Sequence, residues 1–186
     1  QGSTIAGTLE NSGTLNVNYS YPNGGSLTVT GSHLLNTGLV SITQSASLTL
    51  SSGQFINQGS IAITGGSLTA NGGLDLGGAA LSGYGSVSVG GTGITNLSVL
   101  QATGNSTLSI SGSGLQGWTQ DLAGHVTMQD GSLSLSGTSM HLSNTGTTAI
   151  GNNWSLSISN QYGDLGNSGV ISLGTSSTLS ITGSNA

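Results

Sequence analysis

Ser26-Leu27-Thr28-Val29, Ser47-Leu48-Thr49-Leu50 and Ser67-Leu68-Thr69-Ala70 are three copies of one phrase. Five more copies follow: Ser86-Val87-Ser88-Val89, Thr107-Leu108-Ser109-Ile110, Ser132-Leu133-Ser134-Leu135, Ser155-Leu156-Ser157-Ile158 and Thr178-Leu179-Ser180-Ile181. Successive copies lie 19 to 25 residues apart, about 22 on average. Alternation of aliphatic and hydroxyl side chains over four residues marks a half-buried strand. A phrase that returns once every 22 residues marks a structural repeat.

A second phrase shares the period. Asn11-Ser12-Gly13, Asn36-Thr37-Gly38, Asn57-Gln58-Gly59, Asn144-Thr145-Gly146 and Asn167-Ser168-Gly169 each precede aliphatic positions such as Leu15 and Val17, Val40 and Ile42, or Ile171 and Leu173. Aliphatic residues stand before the Asn as well, at Leu9, Leu35, Ile56, Leu142 and Leu165. Each repeat therefore holds three short apolar stretches separated by Gly- and Asn-rich corners, where left-handed backbone angles are tolerated. No stretch has the 3.6-residue spacing of a helix. Three strands and three corners make one turn of a coil, and like strands then stack in parallel at about 4.8 Å. The expectation is an all-β, right-handed parallel β-helix (β-solenoid) of about eight rungs, a single domain over 1–186. It reads equally as a segment of a longer repeat protein. The hand follows from the usual chirality of parallel crossovers. A β-sandwich is the rival, but it needs no 22-residue register.

Two predictions about side chains follow. Leu27, Leu48, Leu68, Val87, Leu108, Leu133, Leu156 and Leu179 form a core ladder, one step per rung, because no rung can bury its apolar face alone. Thr28, Thr49, Thr69, Ser88, Ser109, Ser134, Ser157 and Ser180 form an outward hydroxyl column, beside a second one made of the first residue of each phrase. Stacked Asn side chains at one corner form an amide ladder.

Composition bounds the function. The chain has no Lys or Arg, five acidic residues, no Cys and 34 Gly in 186 residues, for a formal charge of -5. Nucleic acids and anionic membrane surfaces are held by cations, so neither is an expected partner. Without Cys there is no disulfide and no thiolate chemistry. Without Lys or Arg there is no trypsin-type cleavage site, which suits exposure to proteases. No apolar run reaches the roughly 18 residues of a membrane helix, and no direct membrane insertion is expected.

The repeats resemble the β-helical passenger regions of bacterial autotransporters and filamentous-haemagglutinin-like adhesins. The Asn-x-Gly-x-aliphatic-x-aliphatic units carry the likeness, as does Leu81-Ser82-Gly83-Tyr84-Gly85-Ser86-Val87. The resemblance implies secretion, an extracellular or bacterial cell-surface location, and adhesion or self-association. It transfers no catalytic residue. That family often carries scattered Lys and Arg, and this chain has none.

Glu10, Asp75, Asp121, Asp130 and Asp164 are the only acids. Paired carboxylates hydrolyse glycosides, but only Asp121 and Asp130 are close in sequence, and solvated loop acids are the better reading. His33, His125 and His141 lack metal-ligand spacing, so no metal, cofactor or catalytic residue is expected and the chain is read as a non-enzyme. Tyr19 and Tyr21 sit in one long rung and Trp118 in another, where extra residues become loops on one face. With Trp154 they are candidates for stacking on a glycan or anchoring a protein. The hydroxyl columns are an alternative ice- or polysaccharide-binding surface, although only five of the sixteen positions are Thr. The first expectation is a structural or adhesive protein, a surface stalk or a self-assembling fibre subunit. Its expected partners are other copies of itself, end to end or lateral, or host glycans or proteins at a cell surface.

Overall fold

In the computed structural model the chain winds into a three-faced parallel β-solenoid. The residues described are 2–19, 24–77, 80–95, 99–112, 119–121, 125–128, 131–137, 141–160 and 165–183. Every described strand pairing is parallel, and no helix occurs among these residues.

One early turn shows the plan. Ser26–Val29 lies on the first face, His33–Asn36 on the second and Leu39–Thr43 on the third. Ser47–Leu50 then stacks on Ser26–Val29, with Leu27 opposite Leu48 and Leu48 opposite Leu68. The first face holds nine strands, from Gly2–Ile5 to Thr178–Gly183. The third holds eight, from Thr14–Val17 to Val170–Leu173. The second is a five-stranded sheet followed by a three-stranded one. The rung count thus differs slightly from the eight phrases, because Gly2–Ile5 adds a strand without carrying the phrase.

Alternation sets the burial. Val40 and Ile42 are buried while Leu39, Ser41 and Thr43 are not. The bore is filled by columns such as Leu15–Val40–Ile61–Leu81–Leu100 on the third face. On the second face the inward column is Leu9–Leu34–Phe55–Leu74–Ile94. Leu35 and Ile56, the aliphatics directly before Asn36 and Asn57, therefore point outward, and their neighbours Leu34 and Phe55 fill the core.

The register departs from the predicted ladder at one step. Val87 lies opposite Ile110, and Leu108 lies opposite Gly85. The core ladder is therefore two columns. Leu27, Leu48, Leu68 and Val87 form one, and Leu108, Leu133, Leu156 and Leu179 form the other. Likewise Ser88 is stacked on Ser111, and Ser109 belongs under Ser86. The cause is a lengthening of the first face. Its strands have four residues at Ser26–Val29 and Ser47–Leu50 but six at Thr107–Gly112, Ser132–Gly137 and Ser155–Asn160. A shift of two keeps every side chain on its own face, so the bore stays apolar through the slip.

The corner between the second and third faces is held by amides. Asn36 Nδ2 donates to Asn57 Oδ1 at 2.6 Å, Asn11 Nδ2 to Asn36 Oδ1 at 2.7 Å, and Asn144 Nδ2 to Asn167 Oδ1 at 2.7 Å. Asn36, Asn57 and Asn144 are buried, so these bonds satisfy groups that water cannot reach. Leu76 stands in the next rung beyond Asn57 and interrupts the ladder. Where the ladder resumes, the buried Thr148 hydroxyl donates to Asn144 Oδ1 at 3.1 Å and takes the place of the missing amide.

Candidate functional site

With the register corrected, the first face becomes a more regular surface than the sequence suggested. Ser26, Ser47, Ser67, Ser86, Ser109, Ser134, Ser157 and Ser180 form one unbroken column, all serine. Beside it Thr4, Thr28, Thr49 and Thr69 continue into Ser88, Ser111, Ser136, Ser159 and Thr182. The lengthened strands add a third column beginning Thr107–Ser132, in which Ser132 and Ser155 hydroxyls lie 3.1 Å apart. The parallel sheet fixes the spacing, about 4.8 Å between rungs and about 6.6 Å between alternate residues of a strand. Most of these hydroxyls are half-buried by their column neighbours, as expected on a flat sheet.

The aromatic candidates divide. Tyr19 is 46% exposed and borders an open cleft with Thr43, Gln44 and Ser45. Its backbone N–H donates to Thr43 Oγ1 at 3.2 Å. Trp154 is half-buried and packs against the core, so it fills a corner and is not a free platform. Its carbonyl accepts the Thr178 N–H at 3.1 Å. Tyr21 and Trp118 lie outside the described residues, as do Tyr162, Asp130 and Asp164. Tyr84, another of the chain's few aromatics, covers a corner. A Cβ on Gly104 would run into its ring and one on Gly65 would press against it, and both glycines have positive φ.

Among the described residues the titratable groups are dispersed. Glu10, Asp75 and Asp121 all belong to second-face strands but are rungs apart. His33 and His141 lie on that face and His125 on the third. His33 Nδ1 sits 3.3 Å from the Ser32 hydroxyl. Among the described residues no three His, Cys, Asp or Glu come together as metal ligands do, and no helix is long and apolar enough to cross a membrane.

The fold and its surfaces define the class: a parallel β-solenoid with an apolar bore, an amide corner and a hydroxyl-lined flat face. No family model, curated protein or solved structure matches the chain.

Proposed function

We propose that the chain is a structural or adhesive rod, a stalk or fibre segment working outside the cell, at a bacterial surface or in its matrix. The observation that carries this reading is the uninterrupted bore. Buried aliphatic columns run from Val17 to Ile158 inside three faces of hydrogen-bonded parallel strands. Such a body is stiff along one axis, because each rung is clamped to the next by parallel ladders that run unbroken along the first and third faces. Nine strands on the first face set the length at roughly 38 Å. The composition fits an exposed setting, with no thiol to oxidise and no Lys or Arg for trypsin-like proteases.

Small-angle scattering and negative-stain microscopy of the purified chain test the rod. The expected result is an elongated particle of that length. A spherical particle or an expanded chain overturns the reading. Immunogold labelling of producing cells tests the location, with label expected outside the envelope.

The corrected columns favour a second reading, in which the hydroxyl face adsorbs to an ordered hydroxyl surface such as a polysaccharide or ice. Eight serines in exact succession are the observation behind it. Replacing Thr28, Thr49 and Thr69 together by Glu is expected to abolish pull-down on insoluble polysaccharide or thermal hysteresis, whichever the native chain shows. Retention of either activity in the triple variant removes the face from its function.

A further inference from the structure

We infer that the corner between the third and first faces is a binding strip for an extended, uncharged glycan chain, held between Tyr19 and Tyr84. The inference rests on the adhesive reading and names the class of ligand.

The corner is uneven, and its relief follows from chain length. The strands Ser60–Ala70 and Ala80–Val89 run through it without a break, from the third face onto the first. In the rung before them, Gln44, Ser45 and Ala46 stand between Leu39–Thr43 and Ser47–Leu50. In the rung after them, residues 103–106 stand between Val99–Ala102 and Thr107–Gly112. Residues added at a corner stand proud of it. Gln44, Ser45 and residues 104–106 are exposed, whereas Gly65, Tyr84 and Gly85 are half-buried and Gly66 is buried. The corner therefore dips over two rungs, between two raised lips.

Tyr84 lies in the dip. A Cβ at Gly65 would fall 3.3 Å from Tyr84 Cε2 and 3.4 Å from Gln44 Cγ, so the ring and the Gln44 stem flank that glycine. Gln44 in turn lines the open cleft, of about 340 Å³, that Tyr19 borders with Thr43 and Ser45. Tyr19 follows the strand Thr14–Val17, which is three stacking steps from Ala80–Val89, and that places the two tyrosines roughly 14 Å apart along the rod. Ring, amide, glycine floor and ring follow one another in a continuous strip.

The side chains select the ligand. A sugar ring has an apolar C–H face that lies on an aromatic ring, and hydroxyls at its edge that bond to amides and phenols. Tyrosine, with an apolar body and a polar tip, serves both, and a few polar groups set among apolar ones are what fix a ligand's orientation. Among the described residues, neither phenol hydroxyl nor the Gln44 side-chain amide is bonded to another protein group. An anionic glycan is held by Lys or Arg paired with its carboxylates or sulfates, and the chain has neither. Residues 43–46, 64–66, 84–85 and 103–106 include no acid and no histidine. The ligand is therefore neutral, and two rings three rungs apart take a chain of sugars in place of a single one.

Biolayer interferometry of the full chain on immobilised soluble polymers tests this, with mixed-linkage β-glucan, galactomannan and dextran as neutral probes and polygalacturonate and heparin as anionic ones. Binding to at least one neutral polymer and to neither anionic one is expected, unchanged between low and high salt. On that polymer Tyr19→Ala and Tyr84→Ala are each expected to bind at least tenfold more weakly, and Tyr84→Phe to stay within threefold of the native chain, because stacking needs the ring. Tyr84→Ala removes a ring seated beside two glycines, so its melting curve is compared with the native one; Tyr19 is 46% exposed and keeps the test independent of folding. The variant with Thr28, Thr49 and Thr69 replaced by Glu, altered on the hydroxyl face, is expected to bind these soluble chains like the native protein. Binding to no neutral polymer, binding to an anionic one, Tyr19→Ala that binds like the native chain, or loss of binding in the triple Glu variant alone overturns the inference. None of these outcomes touches the rod, which scattering and microscopy decide separately.

Discussion

Phe55→Ala is expected to cost about 3–5 kcal/mol of unfolding free energy. Phe55 is the only phenylalanine in the chain and is fully buried. It lies between Leu34 of the preceding rung and Leu74 of the following one. Those rungs are held at their spacing by backbone ladders, so the cavity cannot close by drawing them together, and the loss sits at the upper end for a core truncation. Urea denaturation measures it. A loss below about 1 kcal/mol would mean that the bore repacks freely, contrary to a rigid stack. Coupling in a solenoid runs between neighbours, so hydrogen exchange should speed first in the rungs of Leu34, Phe55 and Leu74 and least near Ile158.

Asn36→Ala comes next, with an expected loss of about 2–4 kcal/mol. The side chain accepts from Asn11 at 2.7 Å, and it donates to Asn57 Oδ1 at 2.6 Å and to the Gly38 carbonyl at 3.1 Å. Removing it strands Asn57 Oδ1 at a site with 0% exposure, and a buried polar atom without a partner costs more than the bond itself contributes. Asn57→Leu should cost distinctly less. Asn36 Nδ2 would keep the Gly38 and Ser60 carbonyls as acceptors, and the rung beyond Asn57 already carries Leu76 at that corner. Equal midpoint shifts for the two variants in chemical denaturation would show that the ladder is not directional.

Most of the architecture was legible because a solenoid writes its tertiary contacts into its period. Leu48 lies on Leu68 because each rung repeats the last, so spacing along the chain becomes stacking in space. The same logic failed at Leu108. Its phrase follows the Val87 phrase at an ordinary interval, and a two-residue slip leaves the alternation unchanged. Only the length of the neighbouring strands, six residues in place of four, distinguishes the registers. The inward role of Leu34 and Phe55 was also hidden. In His33-Leu34-Leu35-Asn36 two aliphatics are adjacent, and alternation cannot choose between them until the buried Asn36 sets the phase. For the candidate surfaces, the hydroxyl columns could be read directly. The half-burial of Trp154 and the covering of Gly65 and Gly104 by Tyr84 could not, because both depend on which corners meet across rungs.

The coil, its three faces, the inward and outward alternation of the first and third faces and the amide corner could be read from the chain alone, since each follows from local alternation and a repeated spacing. Stacking between rungs settled the register across the Val87–Ile110 step and the single all-serine column that results. Those depend on which residue lies above which. That is settled by packing and hydrogen bonding between rungs, where shifts of two residues look identical to the chain and different to its neighbours.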